Sequence, residues 1–456
     1  MSSQLSTHDQ FIEAAFWHGS AKRAQVILDA NPSIANDIYI AAMLGDDEAV
    51  RRFLASDASL AIAKGGPRHV DALTHLCFSS FLKEHRERSD AFVRAATALL
   101  DAGASPNTGF EDKSHRPHPE WESVLYGAAG VAFHAPLTRL LLERGADPND
   151  EETPYHSVEA PDNDAFKLLL NSGKLTKDSL NMMLLRKSDW HDYEGIQLVL
   201  DQGADVNQMS RFGKTVLHHA LISDNRLEII DLLLDRSADP YAVANDLRHG
   251  GGFRVGRSST AIAARRGRRD VLASMARRHI SLKLDGVDAL IAACARGDAS
   301  AARAIAAREP SLIGALIDQG GELLAEFAGN DNHDGVALLI ELGVPVDVRY
   351  FGDGYYGEAP DSTALHVAAW RMSNDTLDVL IRHGADVNAR NRKGETPLML
   401  AVRACVASYW SARRSPRAVK ALLGAGAITD GVLIPSGYSA VDELLTSGAQ
   451  QSGGTL

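Results

Sequence analysis

The chain has 456 residues, 45% of them hydrophobic and only 6% aromatic, and its 59 acidic against 47 basic side chains give a formal charge of −12. That balance excludes general nucleic-acid and anionic-membrane binding, and no run of 18 apolar residues is present to make a transmembrane helix. The opening MSSQLSTHDQFIEAAF has no basic stretch ahead of an apolar one, so no secretory signal is expected. Cys77, Cys294 and Cys405 lie far apart in apolar helical runs without a CxxC. They read as reduced, buried thiols of a cytoplasmic protein. Alanine-rich, arginine-over-lysine usage points to a bacterial chain.

Along the chain, IEAAFWHGSAKRAQVILDANP and IYIAAMLGDDEAVRRFLASD come first, each reading as a helix pair. A recurring mark follows: GASPN at 103–107, GADPN at 145–149, GADVN at 203–207, SADPY at 237–241, GADVN at 384–388 and GAITD at 426–430. Each copy closes an apolar run such as TRLLLERGA or IQLVLDQGA, with glycine where a helix needs a left-handed C-terminal residue and Asp or Asn where a turn follows. In IIDLLLDRS, Ile229, Ile230, Leu232, Leu233 and Leu234 form the wide stripe of a helix packed between neighbours. Ala128, Ala129, Ala292, Ala293, Ala368 and Ala369 let adjacent helices approach closely. A second signature precedes several marks: TPYHSV at 153–158, TVLHHA at 215–220, TALHVA at 363–368 and TPLMLA at 396–401.

Together these motifs resemble the ankyrin repeat, a unit of roughly 33 residues whose marker is T-P-L-H-x-A. The resemblance spans residues 8 to 447 and implies an all-α solenoid of about twelve helix-turn-helix units with a final half-unit at 437–445. Residues 1–244 and 245–447 are expected as two continuous arrays, with a disordered tail at 448–456 and irregular units near 151–187 and 316–348. It also implies that His156, His218 and His366 bond within their turns and onto the next unit. The function implied is a scaffold that meets a protein partner through its concave face and finger loops. No cofactor and no metal is called for: there is no HExxH, no His/Cys set with zinc spacing and no phosphate loop, and GGGFRVG at 250–256 lacks the strand-to-helix context.

Insertions in a solenoid map to one face, often the binding face. Here they fall at 64–70, 83–90, 110–121, 245–258, 349–361 and 405–416, with RKSDWHDYEG at 186–195 lengthening a first helix or its turn. They concentrate Trp121, Trp190, Tyr193, Tyr355, Tyr356, Tyr409 and Trp410, together with His115, His118, His191 and His249. Rings and directional polar groups suit a small polar ligand, a sugar or a peptide. The ligand-binding set is therefore Trp121, Tyr126, Trp190, His219, His249, Arg254, Tyr355, Tyr356 and Trp370. Glu159 stands where the motif has a small alanine, so it is either a paired, perturbed carboxylate or the exposed end of a short helix. With His191 and Asp192 it forms a catalytic candidate for acid/base work on a sugar-like or anionic substrate, the hydrolase or lyase alternative to the scaffold. The arginines between Arg254 and Arg278, with Asp270 the sole acid among them, read as a solvated face or a site for an acidic partner.

Overall fold

The computed structural model describes residues 5–114, 119–160, 162–245 and 256–452. Among them about 59% are helical, in 27 helices, and the only sheet is an antiparallel ribbon of Gly109–Asp112 with Glu120–Ser123. The fold is the expected all-α repeat. From Thr7–Ala15 with Ala21–Ala30 to Pro397–Ala407 with Arg417–Gly424, the described helices make twelve pairs before a last helix, Ser439–Ser452, with Ser80–Glu84 and Ser311–Asp318 as additional helices outside the pairs. They form two compact units, which we call unit 1 (Met1–Ser210 with Asp235–Ser237) and unit 2 (Arg211–Leu234 with Ala238–Leu456). The division falls after residue 210, ahead of the 244/245 position suggested by motif spacing.

The recurrent mark is explained by one conformational and two hydrogen-bonding jobs. Gly103, Gly145, Gly203, Gly384 and Gly426 have φ between 82° and 105°, a region that costs a side-chain-bearing residue. Ser237 takes that place at φ 66° in the fourth copy. The Asp then accepts from the backbone N–H two residues on, as Asp205 does from Asn207 (2.9 Å) and Asp386 from Asn388 (2.9 Å). The Asn spans to the following unit: Asn388 donates to the Gly426 carbonyl (3.2 Å) and accepts from the Ile428 N–H (2.8 Å), and Asn107 makes the same pair with Gly145 and Asp147.

The motif histidines work as the resemblance implied at two of three positions. His218 Nδ1 accepts from the Thr215 N–H (3.2 Å) while Nε2 meets the Ala242 carbonyl (2.9 Å); His366 does the same with Thr363 (3.1 Å) and Glu395 (3.1 Å). Burial holds both near pKa 4, so they are neutral rings. His156 differs. In its unit Asp150 takes the capping place and accepts from the Thr153 N–H (2.7 Å) and hydroxyl (2.8 Å), as Asp71 does for Thr74 (2.8 and 2.9 Å). An Asp–Thr pair has replaced Thr–His, three residues earlier than TPYHSV suggested. His156 is thereby released to the end of the short helix Glu152–His156.

Burial follows the sequence pattern: Ile229, Ile230 and Leu233 are fully buried, as are the paired alanines at 128–129, 292–293 and 368–369 within 2%. The segment 186–195 lengthens a first helix, Lys177–Asp189, as expected. The irregular stretch after residue 310 is an additional helix, Ser311–Asp318, that only Leu316 buries fully. The last helix, Ser439–Ser452, buries Val441 and Leu445 and runs past the 448 start expected for a disordered tail. All three cysteines are free and buried, and burial pushes the Cys294 thiol up to about 12. Among the described residues no helix is long and apolar enough to cross a membrane.

Leu233→Ala should cost about 2–5 kcal/mol in denaturant unfolding, the range for a buried leucine; less than about 0.5 kcal/mol would mean the stripe is misplaced. His218→Ala, which orphans the Ala242 carbonyl, should cost about 1–3 kcal/mol. Trp190→Ala, at a ring 51% exposed, should melt within a few degrees of the parent chain. The reverse order would make the ring a packing element.

Candidate functional site

Unit 1 holds the catalytic candidates Glu159, His191 and Asp192, and each of the two carboxylates lies in its own ion pair. Glu159 ends a 3-10 turn, Ser157–Glu159, where Arg186 donates to it (2.7 Å) and His156 Nδ1 lies 3.1 Å away. Burial disfavours its ionisation, but these two partners outweigh burial and hold its pKa below the usual value. His156 also meets Glu152 (3.2 Å); against the opposing effect of burial, the two carboxylates raise its pKa to about 9. Asp192 caps the helix Tyr193–Asp201 and accepts from the fully buried Lys187 (2.8 Å) and from Asn163 (3.0 Å). Burial again works against the charge, and Lys187 with the Gly195 N–H keeps Asp192 below its ordinary pKa. His191 sits between these groups in a left-handed turn (φ 53°), its N–H bonded to the Ser188 carbonyl. Glu159 and Asp192 are thus ionised structural partners of different cations.

The protonated acid of this unit is one the sequence did not single out. Glu122 is 1% exposed, its Oε2 has no hydrogen-bond partner, and burial, reinforced by Glu152, Asp112 and Glu120 and opposed by His156, pushes its pKa to about 8. In the ribbon it pairs with Phe110, whose ring packs on Phe16, Trp17 and Phe78. Hydropathy along the strand pointed the other way, with the apolar Trp121 exposed and the charged Glu122 buried. Tyr126 belongs to this interior, 5% exposed and ringed by Trp17, Phe78 and His156. Trp121 is 44% exposed and lines a cleft of about 660 Å³ with Lys64, Arg68, His69 and Lys113.

Unit 2 gathers more of the predicted ligand-binding residues. Tyr356, from the insert 349–361, donates its hydroxyl to the Ile222 carbonyl (2.9 Å), while its own carbonyl accepts from the Trp370 indole (2.8 Å). Beside it, Asp224 accepts from Arg266 (Nε, 3.0 Å) and Arg371 (2.8 Å). Arg266 continues to Glu326 (3.0 Å) and Arg371 to Glu358 (2.6 Å). Arg266 and Arg371 are at most 2% exposed. Burial opposes the charge on Asp224, but the two guanidinium groups hold its pKa well below the carboxylate range. Burial pushes Glu358 up to about 7 despite Arg371. The Arg371 guanidinium lies 4.0 Å from the Tyr356 ring centre and 5.1 Å from that of Trp410. Tyr355 and Tyr409 extend this row to the surface, 65% and 67% exposed.

The arginine run is mostly neither a solvated face nor free for a partner. Arg257 and Arg265 share Asp288 (2.5 and 2.6 Å), Arg269 pairs with Asp334, Arg278 with Asp231 (2.9 Å), and Arg268 with Asp270 (2.8 Å). Apart from Asp270, the acids come from other repeats, so most of the run looked unopposed in sequence. His219 is half-buried on the helix Val216–Ile222, next to the structural His218. His115, His118, His249 and Arg254 lie outside the described residues. No group of three or more His, Cys, Asp or Glu side chains among the described residues is arranged to hold a metal ion.

The raised pKa of Glu122 sets a pH dependence. Its folded value of about 8 exceeds the unfolded value, so its contribution is complete in acid and is lost as pH rises through 8. Glu122→Gln should therefore match the parent chain near pH 4 and exceed it at pH 8 by an amount on the order of 4 kcal/mol, read from urea melts at both values. A gap independent of pH would contradict the buried, protonated assignment.

Comparison with known proteins agrees with this geometry. Residues 328–430 match a family model described as "Ankyrin repeats (3 copies)", and residues 212–245 match one described as "Ankyrin repeat". An L-asparaginase of Dirofilaria immitis is 31% identical over 123 residues, covering 25% of this chain and 21% of that protein. NF-kappa-B inhibitor cactus of Drosophila yakuba is 32% identical over 105 residues, 22% of this chain and 20% of its own length. Putative ankyrin repeat protein L86 of Acanthamoeba polyphaga mimivirus is 26% identical over 143 residues, 29% of this chain and 23% of its own. The chain thus spans about a fifth of the length of these relatives. Repeated helix pairs, the spanning asparagines, the bonded motif histidines and the two family matches converge: the chain is an ankyrin-repeat protein.

Proposed function

We propose that the chain is a binding scaffold that meets a protein partner through unit 2, by way of the insert 349–361 and the neighbouring segment 409–413. Ankyrin repeats are protein-interaction scaffolds in general. The observation that carries this reading is the aromatic row: Tyr356 and Trp410, 5.7 Å apart, are fixed on Arg371, and Tyr355 and Tyr409 project from them into solvent. Rigid exposed rings on a held base lose little entropy on contact, which is why aromatic residues dominate interface energetics. A small-ligand reading keeps one support, the cleft under Trp121, whose ring and polar lining of both charges, Glu111 and Asp112 beside Lys64 and Lys113, suit a hydroxyl-rich molecule. Quenching of Trp121 fluorescence by a metabolite, abolished in Trp121→Phe, would favour it.

The scaffold reading is tested by placing a photo-crosslinking residue at Tyr355 or Tyr409 in living cells, with exposed Arg303 as control. A discrete protein adduct at the two tyrosines and not at 303 is expected. The captured protein should bind Tyr355→Ala/Tyr409→Ala at least about tenfold more weakly, with the melting temperature unchanged. No discrete adduct, or unchanged affinity, would contradict it.

A further inference from the structure

The recurrent mark is lost after the helix Arg269–Arg277 of unit 2. HISLK at 279–283 stands in its register: the Ile280 N–H bonds to the Met275 carbonyl (2.9 Å), as the Ala238 N–H does to the Leu233 carbonyl (3.0 Å) and the Ala385 N–H to the Leu380 carbonyl (3.1 Å). His279 takes the left-handed glycine place at φ 57°. Where other copies bury a small alanine, 5% exposed at Ala238 and 7% at Ala385, this one has a half-buried isoleucine, with Leu282 and Leu284 after it. A joint that elsewhere closes on one methyl group does not close on these. What remains is an open groove of about 450 Å³ between Arg269–Arg277 and the helices Gly286–Ala295 and Ala299–Arg308. Leu272 and Ala292, 1% and 2% exposed, lie deepest in it, and Ile280, Leu282, Leu284 and Ile305 are its half-buried walls.

The wall segment is held in place. Tyr241, standing where other marks have asparagine, donates its hydroxyl to the Ser281 carbonyl (2.8 Å), and the Thr260 hydroxyl donates to the Leu282 carbonyl (2.9 Å). The groove is therefore shaped before any ligand arrives. Its lining selects the occupant. No ring and no acid lines it, and its charged residues are Lys283, whose ammonium rests 3.7 Å from the Tyr241 ring centre, and Arg296, exposed at the end of Gly286–Ala295 and paired with no acid among the described residues. Aliphatic walls gain from a methylene chain, and two cations at the rim, in a chain of net charge −12, favour a negative head. A peptide fits less well, because each residue brings an N–H and a C=O that need partners once desolvated. The lining offers one hydroxyl, that of Ser281. The volume lies within the range of about 300–1,000 Å³ typical of small-molecule sites.

We propose that this groove binds a small amphiphile, an aliphatic chain with an anionic head, of which a fatty carboxylate is the simplest member. The chain lies between Ile280, Leu282, Leu284 and Ile305 and covers Leu272. The carboxylate meets Arg296 in the bidentate geometry that a guanidinium offers, and Lys283 adds positive charge at the rim. The site goes beyond the scaffold reading and does not rest on it, since none of its lining residues belongs to 349–361 or 409–413.

The probe is dodecanoate, titrated calorimetrically into the full chain below its micelle-forming concentration, beside dodecyltrimethylammonium, which has the same chain and the opposite charge. Dodecanoate should saturate one site and bind at least about tenfold more tightly than the cation, and the shorter octanoate should bind at least about tenfold more weakly than dodecanoate. Arg296→Glu, at an exposed position, should remove the preference for the anion with the melt unchanged. Ile305→Trp, which fills the groove from its wall, should abolish binding of both amphiphiles with the melt within a few degrees of the parent chain. Equal binding of the two head charges or undiminished binding in either variant would overturn the proposal. So would the lack of saturable dodecanoate binding, whether or not the chain binds anionic vesicles or a glutamate–leucine peptide. None of these results alters the crosslinking outcome at Tyr355 and Tyr409, so the two readings fail separately.

Discussion

Asp224 is the carboxylate on which the arrangement of unit 2 depends. It binds Arg266, 42 residues away, and Arg371, 147 residues away, and through them reaches Glu326 and Glu358. Burying any of these charges alone would cost several kcal/mol, and removing one member of such a pair typically costs about 3–5 kcal/mol because the other is left uncompensated. Their worth is therefore specificity of arrangement more than net stability. The carboxylate holds the turn between the two helices of one repeat against the end of a helix several repeats later, a contact that nearest-neighbour stacking does not supply. The insert 349–361 is captured in the same stroke, because Glu358 pairs with Arg371 and Tyr356 stacks on it.

This network turns an insertion into a defined surface. A finger loop attached only at its ends would lose conformational entropy on meeting a partner. Here Asp353 and Glu358 exchange backbone hydrogen bonds (3.0 and 2.8 Å), Tyr350 bonds to Ser362, and Trp370 holds the Tyr356 carbonyl. Tyr355 and Tyr409, 65% and 67% exposed, give that surface the aromatic character of interface hot spots. Unit 1 spends its ionic groups differently. Lys187 and Arg186, adjacent in sequence, fix Asp192 and Glu159 separately, and the protonated carboxyl lies within the ribbon at Glu122.

The fold was legible because its signals are local. Glycine at a left-handed helix end, Asp closing its own turn and Thr with His capping a helix are each contained within a few residues, and repetition confirmed them. The register at 150–159 was misread for the same reason: TPYH matched the motif, while the operative cap, Asp150 with Thr153, has a different composition. The site was legible only as residue type. Tyr355, Tyr356 and Trp370 come together as a group, but that Tyr356 is buried in an ion network while Tyr355 is exposed depends on Ile222 and Asp224, far away in sequence. The arginines at 257–278 looked unopposed because Asp288, Asp334, Asp231 and Glu326 approach from other repeats, and no local pattern predicts such pairing. The buried Glu122 was hidden in EWES, because period-two alternation there would place Trp121 inside and Glu122 outside, the reverse of the ribbon's packing.

The central claim is that Asp224 fixes the insert and so the aromatic surface. Amide hydrogen exchange of Asp224→Asn against the parent chain tests it most directly. The account predicts faster exchange at the amides of Tyr350, Asp353 and Glu358, whose bonds hold the insert, with the helix Asn374–Arg382 unchanged. Protection of those three amides equal to that of the parent chain would contradict it, and would mean that the insert is held by its own turns and not by the buried charge.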